Sequence, residues 1–288
     1  MVRYVMRNDD TIDTQMISGM DHSAVALAAT HICSGELVAF PTETVYGLAA
    51  RIFDEQQIDR IYIAKERPSD NPLIAHIAET DDVAQLAQQL DARVDKLVSR
   101  FFPGPLTIVL QRAPHVPARV SAGMDTIAVR MPAHEMARAL IREVGQPLVA
   151  PSANRSGRPS PTTAQHVMDD MQGRIAAVLD GGPCALGLES TVLSLIHSTP
   201  TILRPGSLTR AELMDELGMH IDVAGSTTPI MAPGMKYRHY APRIPVRMAS
   251  SLDDLESVET RRYIMAGADA PFIPNAHTVC DHDYYAQL

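Results

Sequence analysis

The chain has 288 residues, 45% hydrophobic and 20% charged, and a formal net charge of −9. That length suits one large core or two domains, and the composition is ordinary for a soluble globular protein. The acid excess weighs against wrapping of nucleic acid by broad phosphate contact, which is usually the work of basic proteins. No apolar run reaches the roughly 18–20 residues that span a bilayer.

The N-terminal segment MVRYVMRNDDTID is too polar for a secretory leader. Asp21 is placed to cap a helix with Ala24, Leu27, Ala28 and Ile32 on one face, closed by Gly35. ELVAFP (36–41) reads as a buried strand. Asp54 caps a second helix with Ile58, Ile61 and Tyr62 inward; it ends near Lys65, where a cation meets the negative end of the macrodipole. An apolar run at 73–77 carries His76 on a strand. Further strands are predicted at 106–110, 126–131, 147–151, 176–180, 190–196 and 201–205. Helices are predicted at about 80–101, 133–144, 163–171 and 210–217, the last opened by a capping box of Thr209 and Glu212. The alternation is that of an α/β protein, and the closely spaced strands after residue 175 predict a mixed sheet.

Residues 222–245 lose periodicity and gather Gly, Pro and Ser, which reads as a linker. Beyond it, 246–250 and 262–267 look like two strands of a small second α/β unit. The expected organisation is therefore a domain at 15–221, a linker or lid at 222–245 and a small C-terminal unit at 246–288. Cys33, Cys184 and Cys280 are odd in number, widely spaced and outside any CxxC pair. That argues against a disulfide framework or zinc ribbon and fits small buried apolar residues in a reducing cytoplasm.

The stretch KERPSDNPLIAH (65–76) sets Lys65 and Arg67 on a corner stiffened by Pro68 and Pro72. Arg67, Arg158 and Arg204 each precede proline, which pushes the arginine to extended geometry. Such prepositioned guanidinium groups lose less entropy on gripping phosphate or carboxylate; one pair alone would read rather as a solvated loop charge, and three beside the other motifs reverse that. FPTETVYGLAA (40–50) follows a strand and puts Thr42, Glu43 and Thr44 where α/β sheets bind ligands, or else continues the strand with Tyr46 packed. APSANRSG (150–157) offers Ser152, Asn154 and Ser156 beside Arg155 and Arg158, a loop suited to anion capture or an ordinary turn. Arg130 interrupts an apolar strand, so it requires a partner such as Glu43 or Glu189, or a ligand. In APGMKYRHYAP (232–242), Lys236, Arg238 and His239 stand between two tyrosines, as in a lid or an ordinary linker. No Walker loop occurs, and the remaining histidines lack metal-ligand spacing.

Taken in order, FPTETVYGL, KERPSDNPLIAHI, FFPGPLTIVL, TIAVRMP, PLVAPSANRSGRPSPTT, LGLESTV and ILRPGS resemble the threonylcarbamoyl-adenylate synthase family, the YrdC-like proteins. The resemblance covers roughly residues 20–215, and the linker is similar to that of longer members with a second domain. It implies a YrdC-like twisted mixed sheet flanked by helices. The implied reaction takes L-threonine, bicarbonate and ATP to threonylcarbamoyl-AMP and pyrophosphate. That product would pass to a threonylcarbamoyl-transferase complex, which modifies ANN-decoding tRNAs. By resemblance, Thr44, His76, Arg130, Ser152 and Ser190 would surround threonine. Lys65, Arg67, Asn71, Thr126, Asn154, Thr162, Arg204 and Tyr240 would hold ATP, with Lys65 and Arg67 supplying catalytic charge. Magnesium is expected with the ATP phosphates, and no protein-only metal cage is visible. The family's second domain is more than twice the length found here, so an abbreviated or truncated unit is expected. Two other classes stand beside this one: an RNA- or ribosome-binding module with weak RNA contact, and a carbamoyl-adenylate-forming carbamoyltransferase.

Overall fold

The computed structural model describes residues 12–19 and 21–225, and the backbone of Tyr263–Ala266 and Ala276–Val279. The expected linker from 226 on, with Lys236, Arg238, His239 and Tyr240, the strand at 246–250 and Cys280 all lie outside the described residues.

The helices are α1 (His22–Cys33), α2 (Glu55–Lys65), α3 (Asp82–Leu86), α4 (Ala92–Phe101), α5 (Glu135–Val144), α6 (Ala164–Met171) and α7 (Arg210–Leu217). The strands are β1 (Gln15–Ser18), β2 (Val38–Phe40), β3 (Gly47–Arg51), β4 (Ile74–His76), β5 (Ala87–Gln88), β6 (Leu106–Arg112) and β7 (Thr126–Arg130). They continue with β8 (Leu148–Val149), β9 (Ala177–Asp180), β10 (Thr191–Ser194), β11 (Thr201–Arg204) and β12 (Asp222–Val223). A separate parallel pair is β13 (Tyr263–Ala266) with β14 (Ala276–Val279).

Local chemistry sets the helix starts. The Asp21, Asp54 and Thr163 side chains accept from Ala24, Gln57 and His166 backbone N–H groups, and Thr209 and Glu212 form the expected capping box. Two expectations are corrected. Leu27 lies outward at 40% exposure, because Ala24, Val25, Ala28, Ala29 and Ile32 make the buried face of α1. The helix expected at 80–101 is broken: Ala87 and Gln88 pair with Arg112 and Gln111 of β6, Gln89 takes φ 56, and Asp91 caps a new helix. The sheet edge satisfies backbone groups that a continuous helix would otherwise have bonded within itself.

One mixed sheet runs β1-β9-β2-β3-β8-β4-β7-β6-β10-β11-β12, with β5 beside β6. Strand β9 lies parallel between β1 and β2, and β2 and β3 form an antiparallel hairpin. Gly47 opens β3 flat against the Phe40 ring; an added Cβ would stand 2.9 Å from it, so no larger residue fits there. Alternation buries both faces. Val38, Phe40, Ala177 and Leu179 pack with α1 and α5, while Ala39, Leu48 and Val178 join the larger core under α2, α4, α6 and α7.

The β4-β7-β6-β10-β11 half differs. Ile108, Leu110, Ile127 and Val129 belong to the larger core, but Ile74, Val109, Ala128, Val192 and Leu203 form a small cluster of their own on the other face. Residues two apart share a face, so His76, Arg130, Thr107 and Ser190 stand with that small cluster. The strand directions bring all four to one end of the sheet.

Candidate active site

A cleft open to solvent lies at that end. Its wall carries the cations Lys65, Arg67, Arg130, Arg158 and Arg204, with Glu189 as the one carboxylate among the described lining residues. All three arginines that precede proline therefore meet at one cavity. Thr44, His76, Ser152, Asn154 and Ser190 also line it.

Asn71, Thr126 and Thr162 do not line the cleft. Thr126 begins the strand that Arg130 ends, about 13 Å away at the usual strand rise. Asn71 is 1% exposed with both amide atoms unpartnered, and Thr126 Oγ1 is likewise buried without a partner. The Thr162 hydroxyl lies 3.3 Å from His166 Nδ1, and its carbonyl accepts from Cys184 N.

The loop after β8 is clamped to the end of α2. Lys65 Nζ donates to Ser152 O at 2.5 Å and to Asn154 O, while Ser156 N donates to Lys65 O at 2.8 Å. An ammonium has three donors, so one is left for the cavity. Burial, and next the Arg67 charge, pull the Lys65 ammonium well below its usual range. The following residue, Glu66, takes a left-handed backbone (φ 53) and binds both Arg155 (2.8 Å) and Arg174 (2.9 Å). Arg158 pairs with Asp170 of α6. The polar turn expected at 150–157 is thus tied down by helix-borne charges. Glu66 and Asp170 were not singled out from the sequence, because only the folded chain brings them to this loop.

Across the cleft, Arg130 Nη2 donates to Glu43 Oε1 at 2.7 Å and Nη1 to Thr44 Oγ1 at 2.8 Å. The other Glu43 oxygen accepts from Ala133 N. Of the two carboxylates offered for Arg130, Glu43 takes it, and Glu189 instead accepts from Ser160 Oγ at 2.5 Å. His76 packs edge-on against Phe40, with Nδ1 3.1 Å from Ile74 O. Burial first, and the Arg130 charge second, lower its pKa to about 3, so the ring is neutral. A neutral ring donating from Nδ1 presents Nε2 as an acceptor. Ser190 Oγ is 2.7 Å from Thr107 Oγ1 and accepts from Arg204 Nη2 at 3.1 Å.

Of the cysteines, Cys184 is buried, and loss of solvent pushes its thiol up to about 12. Cys33 is exposed, which corrects the expectation of burial; it ends α1 on the outward side.

A basic cleft at the strand ends, lined also by hydroxyl and amide groups, marks an α/β protein whose site suits anions. Residues 30–206 match the profile of the Sua5, YciO and YrdC proteins, described as "Telomere recombination", and residues 208–278 match "Threonylcarbamoyl-AMP synthase, C-terminal domain". The chain belongs to the Sua5/YrdC family of threonylcarbamoyl-AMP synthase-type proteins. It is 50% identical over 226 residues to threonylcarbamoyl-AMP synthase of Pyrococcus abyssi, covering 77% of this chain and 66% of that protein. The enzyme of the same name from Bacillus subtilis is 48% identical, with 77% and 65% covered. The chain thus spans about two thirds of the length of these relatives. The crystal structure of P. abyssi Sua5 complexed with L-threonine superposes with TM-score 0.85 at 38% identity, over 96% of this chain and 87% of that one.

Proposed function

We propose that the chain is an L-threonylcarbamoyladenylate synthase, a nucleotidyltransferase that joins L-threonine, bicarbonate and ATP. The reading rests on one observation: a single cleft is lined by Arg130, His76, Thr44 and Ser190 together with Lys65, Arg67, Arg158 and Arg204. The first group suits a small amino acid, its carboxylate against Arg130. The second suits a triphosphate. The relatives' name and the threonine bound to the P. abyssi protein support the same assignment.

In this reaction the threonine amine adds to bicarbonate, and water leaves as the carbamate forms. A carbamate oxygen then attacks the α-phosphate, and the bond to the β-phosphate breaks to release pyrophosphate. No protein nucleophile is required. The cleft supplies positioning and fixed positive charge where negative charge develops, effects worth several kcal/mol each. Asn71 and Thr126 lie outside the cleft lining, so their part in holding the nucleotide rests on the sequence resemblance. Thr162, as the sequence resemblance implies, joins this nucleotide set. Among the described residues no three His, Cys, Asp or Glu side chains converge. Magnesium therefore suits this donor set as an ion carried by the phosphates, with Glu189 the carboxylate available to it, and it would neutralise phosphate charge. The product would serve a threonylcarbamoyl-transferase complex acting on ANN-decoding tRNA, with only weak RNA contact by this chain. A cytoplasmic setting accords with that role; among the described residues no helix is long and apolar enough to cross a membrane.

The test is pyrophosphate release from ATP by the purified chain. Release should require both threonine and bicarbonate; ATP turnover indifferent to threonine at saturation would sink the reading.

A further inference from the structure

Thr107 is fully buried in β6, a polar residue in the apolar run LTIVL, and it does not line the cleft. Its hydroxyl has one hydrogen-bond partner among the described residues, Ser190 Oγ at 2.7 Å. A buried hydroxyl carries a proton that must be donated, since leaving it unpaired costs its full desolvation. Ser190 Oγ is the acceptor in reach, so Thr107 is the donor of this bond.

Ser190 Oγ also accepts from Arg204 Nη2 at 3.1 Å. A hydroxyl oxygen has two lone pairs, and both are then taken. What remains to Ser190, itself on the cleft wall, is its own O–H. We infer that Thr107 is a positioning residue that fixes Ser190 as a hydrogen-bond donor to the cleft, aimed at an anionic oxygen of the bound substrate. An ammonium group, which only donates, finds no acceptor at that oxygen. The arrangement thus selects which end of a zwitterionic amino acid, or which face of a phosphate, meets Ser190. Arg204 takes part twice, since it also donates to the Ser190 carbonyl at 2.9 Å and so holds the residue by its backbone.

This inference deepens the proposed synthase reading and rests on it for the identity of the ligands. Carboxylate and phosphate share the chemistry, and separate titrations of L-threonine and ATP tell them apart. Calorimetric titration of wild type, Thr107→Val and Thr107→Ser is expected to give a five- to tenfold weaker Kd for one of the two ligands in Thr107→Val, roughly the loss of one hydrogen bond. The other ligand should stay within about twofold, and Thr107→Ser, which keeps the hydroxyl, should restore the wild-type constant. A weaker threonine constant identifies the carboxylate and a weaker ATP constant the phosphate. Equal losses for both ligands, no loss for either, or failure of serine to rescue overturns the inference.

A ligand-independent arm separates this from the synthase reading. Urea denaturation of Thr107→Val, Ser190→Ala and the double variant should show coupling of about fivefold in the unfolding constant. Additive effects overturn the donor assignment even where both ligands bind. A wild type that binds neither ligand yet shows the coupling overturns the synthase reading alone. Should Thr107→Val not fold, Ser190→Ala carries the titration, and an unchanged constant for both ligands overturns the inference.

Discussion

The Arg130 guanidinium and the Glu43 carboxylate meet at 2.7 Å with side chains only 4% and 11% exposed. Arg130 is buried yet lines the cleft, whereas the half-buried Glu43 is not among the lining residues. Glu43 is held in turn by Ala133 N, and Arg130 by Thr44 Oγ1. A buried charge of this kind requires its partner, and the partner also sets where the guanidinium points.

Glu43→Gln leaves that guanidinium buried without an opposing charge. Because glutamine keeps one acceptor oxygen, stability should fall by about 2 kcal/mol, below the cost of a fully deleted partner. Threonine affinity should weaken with it. Urea denaturation and threonine titration check both; unchanged stability would mean that the pair does not anchor Arg130.

Lys65→Met removes two bonds to the loop carbonyls of Ser152 and Asn154, but it also removes an ammonium whose burial is unfavourable. These effects oppose each other, so stability should change by no more than about 1 kcal/mol. Pyrophosphate release should nevertheless drop at least about tenfold, since the loop is no longer fixed to α2. A variant as active as the wild type would show that the clamp does not position the site.

His76 gives a pH dependence. Its folded pKa lies near 3, lowered by burial and then by Arg130, while the unfolded value is about 6.5. Between these values the unfolded chain binds the extra proton. Stability is therefore full above about pH 6.5 and falls as pH drops toward 3, by at most about 1.4 kcal/mol per pH unit from this group. Denaturation from pH 7 to 4 should be shallower in His76→Phe, which keeps the edge contact with Phe40; matching slopes would contradict the buried neutral ring.

The cysteines offer a labelling test. Cys184 is buried with its thiol pushed up to about 12, and Cys33 is exposed. Thiolate is the reactive form. Peptide mapping after alkylation at pH 8 should find Cys33 modified and Cys184 modified only after urea is added. Equal labelling of the two in the native protein would refute the burial.

What the sequence revealed depended on the range of the interaction. The caps at Asp21, Asp54 and Thr209 are settled within one turn, and they appear where the spacing predicted. The three Arg-Pro pairs pointed toward a shared anion site, and Arg67, Arg158 and Arg204 do line one cleft. The break at 87–91 was not legible, because it depends on pairing with β6. Glu66, Asp170 and Thr107 were missed for the same reason: each acts on a residue at least 12 positions away. For Thr107 a signal existed in the lone hydroxyl of LTIVL, but its meaning required the register that sets β6 beside β10.

Strand β9 lies between β1 and β2, pairing Gln15 with Ala177 and Val38 with the same residue. Strand β1 therefore lacks its partner, and β2 one of its two, until about residue 180 has emerged from the ribosome. Contacts across such sequence distances are entropically slow to close. This half of the sheet should consequently be the late event in folding, and a nascent chain halted before β9 would expose the apolar faces of α1 and β2 to chaperones.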